Sequence, residues 1–334
     1  MSASPDSLAE TLGARGRVPD FFIVGQPKSG TTALYEMLRS HPQIYLPELK
    51  EPLFFASDLR PDVNLDSASQ RPRFLPASYE QYLALFAAAG PEQRVGEASS
   101  SYLRSRVAAG AIAEAQPAAR IIAILREPAS LLRSLHLQRL QEHVETEQDL
   151  ARALALEDDR RLGRGLPPGL RQPQMLMYSE FVHCLEQLRR YEARFADEQL
   201  LVLIYDDFLA ENERTVRRVL RFLGVEDSVP IAARSANPTV SVRSKRLERA
   251  VRRARAGQGA LWGPVKSLVK PLTSARLRRN VLDPVRKRLL YRQPPPPDEK
   301  LMLELRRRFK PEVVMLGEHL DRDLVALWGY DELG

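Results

Sequence analysis

The chain has 334 residues, 44% of them hydrophobic and 28% charged, with a formal net charge of +7. That length can bury a large core in one elaborated α/β domain or in two smaller ones, and the composition is ordinary for a soluble protein. No run approaches the roughly 18 apolar residues of a membrane-crossing helix, and the single cysteine, Cys184, excludes an intramolecular disulfide. Residues 1–20 lack the apolar centre of a signal peptide and read as a flexible lead-in to a single domain over 21–334. A small buried thiol is the expected state of Cys184, and a reducing cytoplasm the expected compartment.

The first predicted element is a short buried strand, Phe21 to Val24, followed by a turn rich in Gly and Pro and a helix with Leu34, Met37 and Leu38 on one face. His41-Pro42 ends that helix, because the residue before a proline is pushed out of the α region. Gln43 to Pro47 reads as a short strand, Ala56 to Pro76 as a long surface loop, and Ser78 to Ala89 as a helix carrying Tyr79, Tyr82, Leu83 and Phe86. Arg94 to Glu97 is a brief strand, and a short helix ends near Pro117. Ile121 to Leu125 is the clearest strand, continuous and branched-aliphatic as a parallel strand covered on both faces should be. Pro128 suits the first turn of the next helix, which carries Leu131, Leu132, Leu135 and Leu140.

Glu142 to Gln174 is polar and reads as a mobile loop over the active face. A helix over Phe181 to Phe195, a strand over Leu200 to Tyr205 and an amphipathic helix closed by Gly224 follow. Strands alternating with helices predict an α/β fold around a parallel sheet, with ligands beyond the carboxyl ends of the strands. From Arg243 to Arg292 sixteen lysines and arginines face two acids, Glu248 and Asp283; this local balance of +14 leaves the rest of the chain at −7. Such a segment is either a solvated basic face or the docking site of an anion: a nucleotide, an anionic acceptor, a membrane surface or nucleic acid. Four prolines, Pro294 to Pro297, make a stiff spacer before a last helix over 299–320.

Strand, glycine loop and helix N-terminus together make an anion site at Gly25-Gln26-Pro27-Lys28-Ser29-Gly30-Thr31-Thr32. Lys28 adds a point charge, and the Thr31 and Thr32 hydroxyls add donors. The glycine spacing is that of a Walker A loop, but Thr31 holds the lysine position and the lysine sits earlier, at Lys28. A second anion site is Arg126, at the end of the clearest strand, with Ser134 eight residues on. Glu51, in Lys50-Glu51-Pro52-Leu53-Phe54-Phe55, can serve as a general base toward a hydroxyl; His41 is the rival base, and His136 a weaker one. The histidines and the cysteine show no metal-ligand spacing.

The Pro27 to Thr32 loop resembles the 5′-phosphosulfate loop of sulfotransferases that use 3′-phosphoadenosine 5′-phosphosulfate (PAPS), and the Arg126/Ser134 pair is similar to their 3′-phosphate motif. Lys50 to Phe55 resembles the Lys-Glu-x-x-Phe-Phe segment of the carbohydrate, heparan-sulfate-type branch, and Phe309 to Trp328 the C-terminal helix common in bacterial members. The resemblance implies a nucleotide-kinase-like three-layer fold and metal-free transfer of a sulfuryl group from PAPS to an acceptor hydroxyl. It implies that Gln26, Pro27, Lys28, Ser29, Gly30, Thr31 and Thr32 hold the 5′-phosphosulfate and that Arg126 and Ser134 hold the 3′-phosphate. Arg243 and Lys245 are the candidates for the family's basic 3′-phosphate loop. Lys28 and Glu51 take the catalytic roles, and Lys50, Glu51, Phe55 and Ser99 the acceptor side. Gly96 to Tyr102 resembles the family's Glu-Lys-Ser/Thr-Pro-x-Tyr segment at the acceptor site, with Ala98 where carbohydrate members often have lysine, and the double-cysteine loop of the Golgi enzymes is absent. A carbohydrate or glycolipid hydroxyl is the expected acceptor, and a small natural-product hydroxyl the alternative. Nucleic acid is not an expected partner, whereas an anionic membrane or a lipid-linked acceptor could meet residues 243–292. A phosphotransferase, or a module that binds anions without catalysis, completes the set of readings.

Overall fold

The computed structural model describes residues 17–60, 75–170, 172–230, 241–242, 291–292 and 296–333. Its main sheet has five parallel strands, β1 (Phe21–Gly25), β2 (Ile44–Tyr45), β3 (Arg94–Ala98), β4 (Arg120–Leu125) and β5 (Leu200–Ile204), in the order β2-β3-β1-β4-β5. The described helices are α1 (Thr31–Arg39), α2 (Tyr79–Ala84), α3 (Ala108–Ala115), α4 (Pro128–Gln141), α5 (Leu150–Ala155), α6 (Glu157–Arg161), α7 (Cys184–Glu192), α8 (Tyr205–Ala210), α9 (Asn212–Leu223), α10 (Glu299–His319) and α11 (Leu324–Leu327).

Alternation along the strands builds two cores. Phe22, Val24, Ile121, Ala123 and Leu125 point to one face, where α3, α7, α10 and α11 supply Ile112, Leu188, Val313 and Leu324. Phe21, Ile23, Ile122, Ile124, Leu201 and Leu203 point to the other, against Leu34 and Leu38 of α1 and Val216, Val219 and Leu220 of α9. Both faces are thus covered, which is why β1 and β4 read as unbroken apolar runs. The central strand β1 lies between β3 and β4, so the segments leaving its carboxyl end and theirs meet in one place.

Three expectations change. Residues 142–174 are not a mobile loop: α5 and α6 lie there, over a small core in which Val144, Leu150 and Leu154 pack on Leu176 and Phe181. Its centre is polar, with Arg160 donating to both oxygens of Glu145 at 2.8 Å and the Tyr178 hydroxyl donating to Glu145 at 3.0 Å. The expected loop 56–76 begins inside the core, with Ala56 buried, and its residues 61–74 lie outside the described ones. The strand expected to include Tyr205 stops at Ile204, and Tyr205 starts α8. Gly224 closes α9 in the left-handed conformation as expected, at φ 68°.

The N-terminal residues 1–16 and the basic residues 243–290, with Arg243 and Lys245 among them, lie outside the described part. Two short strands at the ends of that basic segment, β6 (Ser241–Val242) and β7 (Tyr291–Arg292), pair antiparallel. Among the described residues no helix is long and apolar enough to cross a membrane.

Candidate active site

The loop between β1 and α1 is held by close packing at both of its glycines. A Cβ on Gly25 would lie 2.5 Å from the Leu103 Cβ. Gly30 takes the left-handed conformation at φ 81° with the rings of Phe208 and Tyr205 against it, so a side chain there meets both strain and a wall. No side chain caps α1, and its first N–H groups open into the loop with the positive end of the helix dipole behind them. The Ser29 hydroxyl is fully buried there and has no partner among the described residues. An orphaned donor beside free amides fits a phosphate oxygen, because a buried polar group with no bond is costly. Thr31 is buried and Thr32 exposed.

The Gln26 side chain turns inward. Its amide donates to the Phe181 carbonyl at 2.8 Å and to Cys184 Sγ at 2.9 Å, and its oxygen accepts from the Arg126 N–H at 3.0 Å. The side chain is buried and braces the loop against β4 and α7. Cys184 is accordingly a packed thiol, pushed up to about 12 chiefly by burial.

Lys28 stands at φ 64°, and its amine is held below the usual lysine range by burial first, then by the charges of Arg126 and Arg139, with Glu142 opposing. Arg126 reaches across from the end of β4 and donates from Nη1 to the Lys28 carbonyl at 2.6 Å. Its guanidinium sits 4.7 Å from the centre of the Tyr205 ring, the same ring that walls Gly30. The two expected anion sites are therefore neighbours, joined by a hydrogen bond and sharing an aromatic shelf. Ser134 is buried on α4. Arg139, on the same helix, pairs with Glu142 at 2.9 Å, and Arg104 lies 4.4 Å over the Phe181 ring. Burial, then the charge of Arg139, lowers Arg104 to about 10. Neither arginine stood out in the sequence.

Glu51 lies beside the carboxyl end of β3. Its N–H donates to the Ala98 carbonyl at 2.9 Å. Its carboxylate accepts from Lys50 Nζ at 2.6 Å and from the Ser100 hydroxyl and N–H at 2.8 Å each. The side chain is 18% exposed, so one edge faces solvent. Glu51 and Leu53 both have positive φ, 62° and 55°, which costs free energy at non-glycine residues and gathers at functional sites. Together with Lys28, the bend places three such residues on the carboxyl side of the sheet.

Two residues assigned to the acceptor side do not reach the surface. Ser99 is 0% and Phe55 7% exposed, and the Phe55 ring packs edge-on to Phe22 and Tyr82 in the core. The rival histidines are committed as well. His41 Nε2–H donates to the Glu226 carbonyl at 2.8 Å while Nδ1 accepts from the Gln43 N–H at 3.2 Å. It also follows the far end of α1, about 14 Å from the loop at 1.5 Å per residue. His136 is buried, bonded to the Glu147 carbonyl at 2.9 Å, and burial lowers its pKa.

Glu97 lies on β3 with no exposed surface, accepting from Tyr82, Tyr102 and Ser99 at 2.8, 2.9 and 2.6 Å. Burial, opposed by those three bonds and helped by the charge of Glu51, pushes its carboxyl up to about 7. Strand parity was the available signal, since Glu97 shares the face of Val95, which is buried in the first core.

The sequence matches the profile described as "Sulfotransferase family" over residues 19–228. The chain belongs to the sulfotransferase family. Carbohydrate sulfotransferase 15 of Homo sapiens is 26% identical to it, and the same protein of Mus musculus 27%; each match covers 62% of this chain and 44% of the relative. The chain therefore spans less than half the length of the curated relatives it matches. The crystal structure of a sulfotransferase from Alicyclobacillus acidocaldarius shares the fold, with a TM-score of 0.64 and 24% identity over 92% of this chain and 98% of that one. In this sulfotransferase the family match takes in the Lys28 loop, Glu51, Glu97, Arg126 and Ser134, and stops before α10.

Proposed function

We propose that this sulfotransferase moves a sulfuryl group from PAPS to an acceptor hydroxyl, and that the acceptor is a carbohydrate or glycolipid. One observation carries the reading: Arg126 reaches from β4 to the Lys28 carbonyl, so two cationic anion sites share one wall, as a nucleotide with 5′ and 3′ phosphates requires. The α1 amides, Ser29 and the threonine hydroxyls hold the 5′-phosphosulfate; Arg126 and Ser134 hold the 3′-phosphate, with Arg243 and Lys245 added from the basic segment. Glu51 Oε2 has one donor among the described residues, the Ser100 N–H, and so keeps a lone pair for the acceptor proton. As the acceptor oxygen bonds to sulfur, its proton passes to Glu51. The bond from sulfur to the 5′-phosphate oxygen breaks with its electron pair on that oxygen. Lys28 lies on the loop where this charge appears, and a preorganised cation there acts only as charge develops. Lys50 holds Glu51 in place. We assume a reducing cytoplasm, in which Cys184 stays a thiol.

Calorimetric titration with adenosine 3′,5′-bisphosphate, without metal and beside ATP with Mg²⁺, tests the reading. Binding of the bisphosphate that weakens in Arg126→Ala is expected. Binding of ATP alone would replace this reading with a phosphotransferase, and binding of neither would favour a non-catalytic role for residues 243–292.

A further inference from the structure

We infer that Glu97 is a positioning residue for Glu51: as a carboxylate it organises the hydroxyls that hold the bent loop carrying the base. The inference rests on the proposed role of Glu51 and adds a residue to it. Two of the three hydroxyls that donate to Glu97 are themselves acceptors for the loop. Ser99 Oγ takes the Leu53 N–H at 3.1 Å, and the Tyr102 hydroxyl takes the Phe55 N–H at 3.2 Å. Each hydroxyl has one proton. Pointing it at Glu97 turns the oxygen lone pairs toward the loop, which fixes Leu53 at its positive φ and with it the turn at Glu51. The segment that follows then grips the base directly through Ala98 and Ser100.

A carboxylate does this more strongly than a carboxylic acid. A proton on Glu97 takes the lone pair that the three hydroxyls leave open and neutralises the acceptor, and bonds to a neutral acceptor are roughly half as strong. The groups facing Glu97 cannot take over its role. Tyr82 of α2 and Tyr102 have their phenols pushed far up, first by burial and then by the charge of Glu97, so both stay donors. Tyr191 of α7 donates to the Tyr102 carbonyl at 2.9 Å, and the charge of Glu51 adds to the upward shift of Glu97. The arrangement makes formation of the bent loop depend on pH near neutrality, where Glu97 ionises.

Amide exchange at Leu53 and Phe55, together with kcat against pH, tests this in the 334-residue chain and in Glu97→Gln. The glutamine keeps one acceptor oxygen and places a donor NH2 where the other oxygen was, so the three hydroxyls can no longer all donate to it. The variant is expected to raise exchange at both amides by about tenfold, the equivalent of one lost hydrogen bond of ordinary strength. It should lower kcat by about the same factor with the donor KM unchanged, and abolish the rise in kcat expected of the wild type through pH 7. If Glu97→Gln does not fold, single links decide: Ser99→Ala should release the Leu53 amide alone and Tyr102→Phe the Phe55 amide alone. Wild-type exchange at both amides, or a pH profile of kcat unchanged by the glutamine, overturns the inference. Full turnover in Glu51→Gln would instead remove Glu51 as the base while leaving the amide result intact, so the two failures are distinguishable.

Discussion

At the level of single residues the site gives up stability for charge. Lys28 combines a positive φ with a buried amine whose pKa burial and two arginines depress. Lys28→Gly relieves both, so it should raise stability by about 1 kcal/mol, the cost of a strained non-glycine backbone. The same change removes the cation from the loop and should lower kcat by about 10²–10³-fold, the usual loss when one preorganised group is taken away. Thermal unfolding and turnover measured on one sample check that the two move in opposite directions. Glu97 shows the same opposition against pH. Its carboxyl titrates at about 7 in the fold, against a reference value of 4.5. Between those values the folded chain holds a proton that the unfolded chain has lost, so this group's contribution to stability falls as pH rises through that window. The melting temperature of the wild type should therefore drop relative to Glu97→Gln between pH 5 and pH 7.5 in differential scanning calorimetry. Parallel curves would show that burial does not shift the group.

Elements, by contrast, are stabilised where the sequence pattern is silent. The helices α5 and α6 stand on the Arg160–Glu145 pair, whose side chains are 1% and 0% exposed. Glu145→Gln strands the guanidinium and should cost about 3–5 kcal/mol. Replacing both partners with apolar residues of similar size should cost much less. Urea unfolding of the single and double variants tests this, and equal losses would count against it. The same pair explains why residues 142–174 read as a loop: a buried ion pair looks like surface in any apolar periodicity. The strands β1, β4 and β5 were legible because both faces are covered, and α1 and α9 because one face is. The Lys28 loop and Arg126 were legible because glycine spacing and strand ends are local features. The partners of Ser100, Tyr102 and Tyr205 were not, since each acts through a neighbour distant in sequence: Glu51, Phe55 and Arg126.

Across the whole molecule the C-terminal helices brace the carboxyl end of β4 and the start of α8. The Tyr330 hydroxyl donates to Glu127 at 2.6 Å, and Glu127 caps α4 by accepting from the Ala129 and Ser130 N–H groups at 3.0 and 2.6 Å, directly after Arg126. Trp328 Nε1 donates to Asp206 at 2.9 Å, and Arg322 pairs with Asp207 at 3.0 Å, which fixes α8 and the Tyr205 ring beneath Arg126. Val313, Leu316, Leu324 and Tyr330 also fill the first core. A chain ended after residue 230 keeps every strand of the main sheet and the whole matched region, yet loses one wall of that core. It should unfold without a cooperative transition and bind a hydrophobic dye, as expected when packing is lost and collapse remains. Tyr330→Phe is the graded form of the same test. It removes one bond to a carboxylate and should cost about 1.5–3 kcal/mol while leaving the transition cooperative. A truncated chain that melted cooperatively and still bound adenosine 3′,5′-bisphosphate would show that α10 and α11 merely rest on a fold complete without them.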